Sequence, residues 1–388
     1  MNLRSMGLPA IVLAVAMFGY PLVGNLVSLL EIDSRVLSIP FRVLVIVLSL
    51  WLLVSCRRMH LTRTRIALLL IWLAYTIRLA HDMMVARIEG ADYALQFFLA
   101  GCVLPAMAVF TADEFQQERF ARVAFALTVA GCAATLLGSL LGRFGEADLT
   151  TTTGRLSTVA LNPVSLGHLA VSCVIVGLVI WTRARGASRV AVSSGVVLAL
   201  SCLVMTGSKG PALALIICLA IWAASKGAIW KLILFGLPTL MFVVFAPVSP
   251  LAARFAGLGE DVSTLDRLVI LRDSINQAAE SPLFGSAFVE LNSGLYPHNL
   301  FLDAVLAFGI PLAIVFAVLV GIATVRSLRC LQTGTELLGL LFIQSLIGGM
   351  LSGAMFAATS FWCLLALLLG PGLRKKWPDA RLGDQSNI

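Results

Sequence analysis

About twelve runs of apolar residues, each close to the length needed to cross a bilayer, recur along a chain of 388 residues. A hydrocarbon core takes about 20 residues of helix. Lipid offers no partner to a bare backbone N–H or C=O, so each run has to be helical. The runs are 8–30, 36–55, 66–80, 94–112, 120–142, 164–181, 190–205, 211–224, 231–248, 299–325, 336–352 and 355–370. Only Gly353-Ala354 separates the last two, which can also be counted as one. Hydrophobic residues make up 59 % of the chain and charged residues 12 %, which excludes an ordinary soluble domain. The expected architecture is all-α and polytopic, one membrane domain over 1–388, with a long loop at about 249–298.

Charge orients these spans. With the N-terminus inside, the connectors at 56–65, 183–189, 226–231 and 326–329 and the tail with Arg374, Lys375 and Lys376 all fall in the cytoplasm. The inner segments then hold 18 Lys+Arg against 6 Asp+Glu, out of 28 and 20 in the whole chain. The positive-inside rule is met without forcing any loop, and both termini are expected in the cytoplasm. The net charge of +8 is accounted for by topology and needs no nucleic-acid partner. The first run is longer than a signal-peptide core and has no small-residue cleavage site, so it reads as an uncleaved anchor.

The eight cysteines are scattered as singles at 56, 102, 132, 173, 202, 218, 330 and 363, with no C-x-x-C spacing and none in an outer loop. They read as small buried hydrophobes, with no disulfide or metal framework. Glu31-Ile32-Asp33 in the first outer loop is an acidic-x-acidic motif that resembles those that hold a metal in many lipid-sugar-dependent glycosyltransferases; two acids in a solvated loop are the plainer account of three residues. Arg42 and Arg78 lie inside or near the outer ends of the second and third spans. Intramembrane charges are functional or paired as a rule, and snorkelling to headgroups also explains both.

The outer segments carry the remaining polar signals. In the loop at 143–163, Asn162-Pro163 is explained by a helix start, whereas Arg155 has no such account. His168, one turn into the next span, reads as a packed core residue or as a substrate contact. In Thr206-Gly207-Ser208-Lys209-Gly210-Pro211, Lys209 sits at a helix N-terminus, where the macrodipole favours anions. A cation there makes sense if an anion is bound between it and the free N–H groups; a lysine reaching for headgroup phosphates is the alternative. The long loop contains a helix over 264–279, opened by a Ser263/Asp266 capping box and stopped at Ser281-Pro282. Its apolar stripe suits a helix lying on the membrane surface, and Arg267 falls near its N-terminus. Pro297-His298-Asn299 then opens the tenth span. Asn299 or His298 can cap that helix. A histidine facing water beside several cations is also the right group for a general base, because neighbouring positive charge keeps it neutral and able to accept a proton.

Together these residues resemble the O-antigen ligase and O-antigen polymerase superfamily, membrane glycosyltransferases that act on polyprenyl-diphosphate-linked glycans. His298, Asn299 and Gly309 fit its pattern of His, then Asn, Ser or Gln, nine residues, and Gly. The pattern continues, after two more residues, with Gly, Thr or Tyr, where this chain has Leu312. Arg267 and Leu271 meet an Arg-x3-Leu pattern, and Pro282-Leu283-Phe284-Gly285 is similar to the family's downstream turn. The family's Ser-Arg-Gly stands here as Ser208-Lys209-Gly210, keeping the charge without the bidentate fork. Arg155 with Asn162-Pro163 is similar to an upstream arginine element.

The resemblance implies a GT-C-like helical bundle in a bacterial inner membrane with its site facing the periplasm. The implied donor is a glycan on undecaprenyl diphosphate, and the acceptor is a second glycan or lipid A-core. His298 would take the acceptor's proton, with Arg267 as its catalytic companion. Arg155, Lys209, Arg267 and Asn299 would hold the diphosphate or substrate, with no metal or cofactor required and with inversion at the anomeric carbon. Three readings follow: a polymerase of O-antigen or exopolysaccharide repeats, favoured by the incomplete histidine pattern and Lys209; a ligase to lipid A-core; and a transporter or flippase without catalysis. The third predicts polar groups at mid-membrane and inverted repeats, and finds its best support in the interrupted stretch Phe18-Gly19-Tyr20-Pro21.

Overall fold

The computed structural model describes residues 7–55, 61–111, 115–143, 156–158, 161–227 and 262–370. The described residues form helices α1 (Leu8–Leu30), α2 (Ser34–Ser55), α3 (Arg63–Met84), α4 (Ala91–Ala108), α5 (Gln117–Leu140) and α6 (Pro163–Trp181), followed by α7 (Ala187–Thr206), α8 (Lys209–Ser225), α9 (Val262–Glu280), α10 (Leu300–Cys330), α11 (Glu336–Ser352) and α12 (Thr359–Leu368). Eight of them, α1 to α7 and α10, are long and apolar enough to cross a membrane. The helices α8, α11 and α12 are apolar but shorter. The architecture is thus all-helical and multi-pass. The expected span at 231–248 and the expected loop residues 249–261 lie outside the described residues.

Buried polar side chains join helices where hydrophobic attraction between them is weak in lipid. Asn25 on α1 donates to Gly131 O (2.9 Å) and to Thr135 Oγ1 (2.7 Å) on α5. Ser172 on α6 donates to Gln344 Oε1 on α11 (2.9 Å), and Gln344 Nε2 returns a bond to His168 O (3.1 Å). The cysteines of α5, α6 and α7 are less scattered than their sequence positions suggest: the thiols of Cys132, Cys173 and Cys202 meet in the core.

The helices alternate between two ends of the bundle. At one end, Arg183 pairs with Glu336 (2.9 Å), Lys226 donates to Leu331 O (3.3 Å) and Arg326 to Leu368 O (2.7 Å). The other end, called here the site end, gathers the start of α2, α6, α8 and α10 and the end of α1, α3, α7 and α11. There Arg143 ties α5 to α1 through Leu29 O (2.8 Å) and pairs with Glu31 (3.4 Å). Asp33 accepts the backbone N–H of Arg35 in the first turn of α2 (2.8 Å). Glu31 and Asp33 are therefore occupied in a helix junction. The run through Phe18, Gly19, Tyr20 and Pro21 continues as one helix, α1.

Two genuine breaks in helices lie at the site end. Gly309 interrupts α10 at φ 79°, ψ 171°, and Pro311 has no N–H to give to Ala307 O. The turn Pro282–Gly285 supplies the missing partners. Ile310 N donates to Pro282 O (2.7 Å), Ser286 N donates to Leu306 O (2.8 Å), and Arg78 Nε on α3 donates to Ala307 O (2.7 Å). The same guanidinium reaches Ser286 O (3.0 Å) and Phe284 O (2.9 Å) and pairs with Asp82 (3.5 Å), whose other oxygen accepts Phe288 N (2.9 Å). A Cβ at Gly309 would collide with the Leu283 carbonyl, and one at Gly285 with the Leu306 carbonyl. Both positions have to be glycine for backbone to meet backbone here. Arg78 is thus a paired, structural intramembrane charge.

The second break separates α11 from α12, which stand as two helices. The connection through Gly353, Ala354 and the 3₁₀ turn Met355–Ala357 is buried at Ala354 and Met355. Irregular backbone at this depth has to be satisfied by protein. Met355 N donates to Asp303 on α10 (3.0 Å), and Trp362 Nε1 donates to Met355 O (2.8 Å).

Candidate active site

The C-terminal end of α11 organises the site. Its last carbonyls have no helical partner and carry the negative end of the helix dipole, and two cationic or titratable side chains from the long loop converge on them. Arg267 Nη1 on α9 donates to Leu351 O at 3.1 Å. His298 Nδ1 lies 3.5 Å from Ser352 O, the next carbonyl along.

His298 is placed there by its backbone. It has φ 57°, a left-handed conformation uncommon for a residue with a side chain. Asn299 follows in extended conformation and caps α10, its Oδ1 accepting from Phe301 N (3.1 Å) and Leu302 N (3.2 Å). The turn from left-handed to extended is what swings the imidazole back over α11. Conformations of this kind cost of order 1–3 kcal/mol and cluster at functional sites. The Tyr296 ring packs edge-on to the imidazole at 4.5 Å between centroids.

A carbonyl oxygen can only accept, so the contact with Ser352 requires the proton on Nδ1 and leaves the lone pair on Nε2. Burial lowers the imidazole pKa below its ordinary value, the Arg267 guanidinium lowers it further, and the Ser352 carbonyl opposes both. The result is a neutral histidine of fixed tautomer. Burial, followed by the Asp303 carboxyl, raises the Tyr296 phenol above its usual value, so that ring contributes no charge near neutrality.

The remaining predicted residues sort as follows. Lys209 is the first residue of α8, and the adjoining Gly210 faces Leu351 and Ser352, with 3.8 Å between the position a Cβ would take there and Ser352 Oγ. The start of α8 therefore lies against the same end of α11 as Arg267 and His298. Arg155 lies outside the described residues; its neighbour Leu156 donates its N–H to Met205 O at the end of α7 (3.1 Å). Asn162 caps α6 through Ser165 N (2.8 Å), as its position beside Pro163 predicts. The His168 ring packs against Gly348, one turn inward along α11 from Ser352. Helix α9 runs over Val262–Glu280, starting slightly before the predicted 264, and Arg272 on it is exposed.

Three further residues hold the site together, of which Gln277 and Glu290 carry no signal in sequence and Arg78 stands out there only as an intramembrane charge. Gln277 on α9 donates to Ser286 Oγ (2.8 Å) and Val289 O (3.1 Å) and accepts from Leu291 N (2.9 Å). Glu290, 1 % exposed, accepts Asn292 N (2.8 Å) and Ser293 N (2.7 Å). Arg78, from a helix over 200 positions away in sequence, fixes the turn between them. These bonds tie the loop between α9 and α10 to both α9 and α3.

A family model described as O-antigen ligase matches residues 194–317. The matched segment holds Lys209, Arg267, His298, Asn299 and Gly309, and it excludes Arg155. The superfamily resemblance carried by the motifs is therefore supported over this segment. No curated protein matches the chain.

Proposed function

We propose that this protein is a glycosyltransferase of bacterial cell-surface polysaccharide assembly. It moves a glycan from undecaprenyl diphosphate to an acceptor hydroxyl on the periplasmic side of the inner membrane. The observation that carries the reading is the convergence of His298 and Arg267 on the adjacent carbonyls of Ser352 and Leu351, beside the start of α8. In this account His298 Nε2 accepts the proton of the acceptor hydroxyl as its oxygen attacks the anomeric carbon. The C–O bond to the diphosphate breaks with inversion, and the polyprenyl diphosphate leaves carrying the electron pair. Arg267 and Lys209 stabilise the charge that develops on it, together with Arg155. Asn299 contributes by capping α10 and so orienting His298. The chemistry needs no metal.

The same steps serve a polymerase and a ligase, which differ in acceptor. Lys209 in place of arginine and Leu312 in the histidine pattern favour a polymerase of O-antigen or exopolysaccharide repeats. The description of the matching family favours the ligase, with lipid A-core as acceptor. The glycan profile of a deletion strain separates them. Carrier-linked glycan arrested at one repeat, rescued by the wild-type chain and not by His298→Ala, is expected for the polymerase. Long carrier-linked glycan with bare lipid A-core marks the ligase, and full rescue by His298→Ala removes the base from the mechanism.

A further inference from the structure

The two intramembrane arginines have opposite fates. Arg78 is met by carbonyls and by Asp82, whereas Arg42, eight residues into α2, has no acidic partner among the described residues. Its guanidinium stands in a cage of rings from two other helices: 5.4 Å from Tyr20 on α1, and 6.0 Å from Tyr93 and 5.7 Å from Phe97 on α4. Its Nη2 reaches the Tyr20 hydroxyl at 3.5 Å, and its Nε is buried with no hydrogen-bond partner. Cation–π contacts at such distances contribute about 0.5–2 kcal/mol each, so the three rings offset part of the several kcal/mol that removing a guanidinium from water costs, and the Nε–H still has no acceptor. A charge kept in the membrane with part of its fork unused is a binding group as a rule.

Two surroundings define what it binds. Along α2 runs an exposed apolar face, with Val36, Ile39, Val43, Val47 and Val54 each at least half exposed, on which a lipid chain can lie. In the other direction a row of aromatic rings leads to the active site: Tyr93 to Phe356 at 6.4 Å, Phe356 to Tyr296 at 6.0 Å, and Tyr296 to His298 at 4.5 Å. Arg42 lies about 12 Å along the helix axis from the first residue of α2.

We propose that Arg42 binds a lipid-borne phosphate, separate from the anion position at Arg267 and Lys209, and that this is the phosphate of the second, acceptor lipid. Planar guanidinium and phosphate match in a bidentate bond, the chain lies along α2, and the aromatic row spans the distance to His298. The identification of the lipid as acceptor rests on the transferase reading; the phosphate site does not. A bulk phospholipid headgroup has the same chemistry, and the test separates the two.

The full-length protein is titrated with undecaprenyl phosphate in phosphatidylcholine nanodiscs, and bound lipid is counted by native mass spectrometry without turnover. Two molecules are expected on the wild type. Arg42→Gln should weaken one of them roughly tenfold or more and retain the other, which then disappears on adding Arg267→Gln and Lys209→Gln. The retained molecule reports that Arg42→Gln is folded. Phosphatidylglycerol in large excess should leave the Arg42-dependent molecule bound. Unchanged binding by Arg42→Gln overturns the proposal, and displacement by phosphatidylglycerol as readily as by the polyprenyl lipid overturns the substrate assignment. Because no glycan is transferred in this assay, its outcome is independent of whether His298→Ala abolishes transfer.

Discussion

Burial and one neighbouring guanidinium set the working range of the candidate base. Arg267 reaches the carbonyl next to the one that holds His298, and its charge disfavours the imidazolium. The neutral, proton-accepting form of His298 therefore persists to lower pH than in a free histidine, and the acid limb of the pH–rate profile should lie below the ordinary histidine value. In Arg267→Gln the cation is gone, the imidazolium is easier to form, and the acid limb should move to higher pH while the rate on the plateau falls through weaker diphosphate binding. An acid limb that does not move would separate Arg267 from His298. Residue identity was legible at this scale: His298, Asn299 and Arg267 stand in recognisable spacing. The groups they use were not, because Leu351 O and Ser352 O are backbone atoms with no side-chain signature.

At the level of elements, the spacing from His298 to Gly309 acquires a mechanical meaning. The helix must break at Gly309 so that the turn Pro282–Gly285 can take the bonds of Leu306 and Ile310, and this turn is what fixes the loop carrying the site. Gly309→Ala should cost about 1–3 kcal/mol from the backbone conformation alone, before the collision with Leu283 O. Amide exchange at Ser286 and Ile310 should quicken while the Asn25-clamped pair α1/α5 stays protected, and transfer should fall with it. Unchanged exchange would show that the turn is held by other contacts. Helix limits were largely readable from the apolar runs, and α1 and α11 coincide with 8–30 and 336–352. The docking of Arg78 was not, since a period along one helix says nothing about which carbonyls are orphaned in another. The aromatic row, built from α4 and two loops, was hidden for the same reason.

Over the whole molecule, the described loops divide between two ends as strict alternation requires, and the unusual polar residues of the long loop collect at one of them. A transporter needs polar groups and broken helices near the midplane, around which two halves rock. Here both breaks serve to build and brace a single end: Gly309 receives the turn under Arg78, and the end of α11 before Gly353 leaves the Leu351 and Ser352 carbonyls to face Arg267 and His298. Sequence could sort the spans and their charge; it could not bring α3, α9 and α11 together, because those contacts join residues far apart in the chain. The central claim, that His298 is the proton acceptor in a transfer from a lipid diphosphate, is tested most directly on purified protein in proteoliposomes. Undecaprenyl-diphosphate-linked glycan is supplied with acceptor, and the release of undecaprenyl diphosphate is measured for the wild type and His298→Ala. The account predicts release by the wild type and a loss of roughly 10²–10⁴-fold in the variant with donor binding retained; release at the wild-type rate by His298→Ala would contradict it.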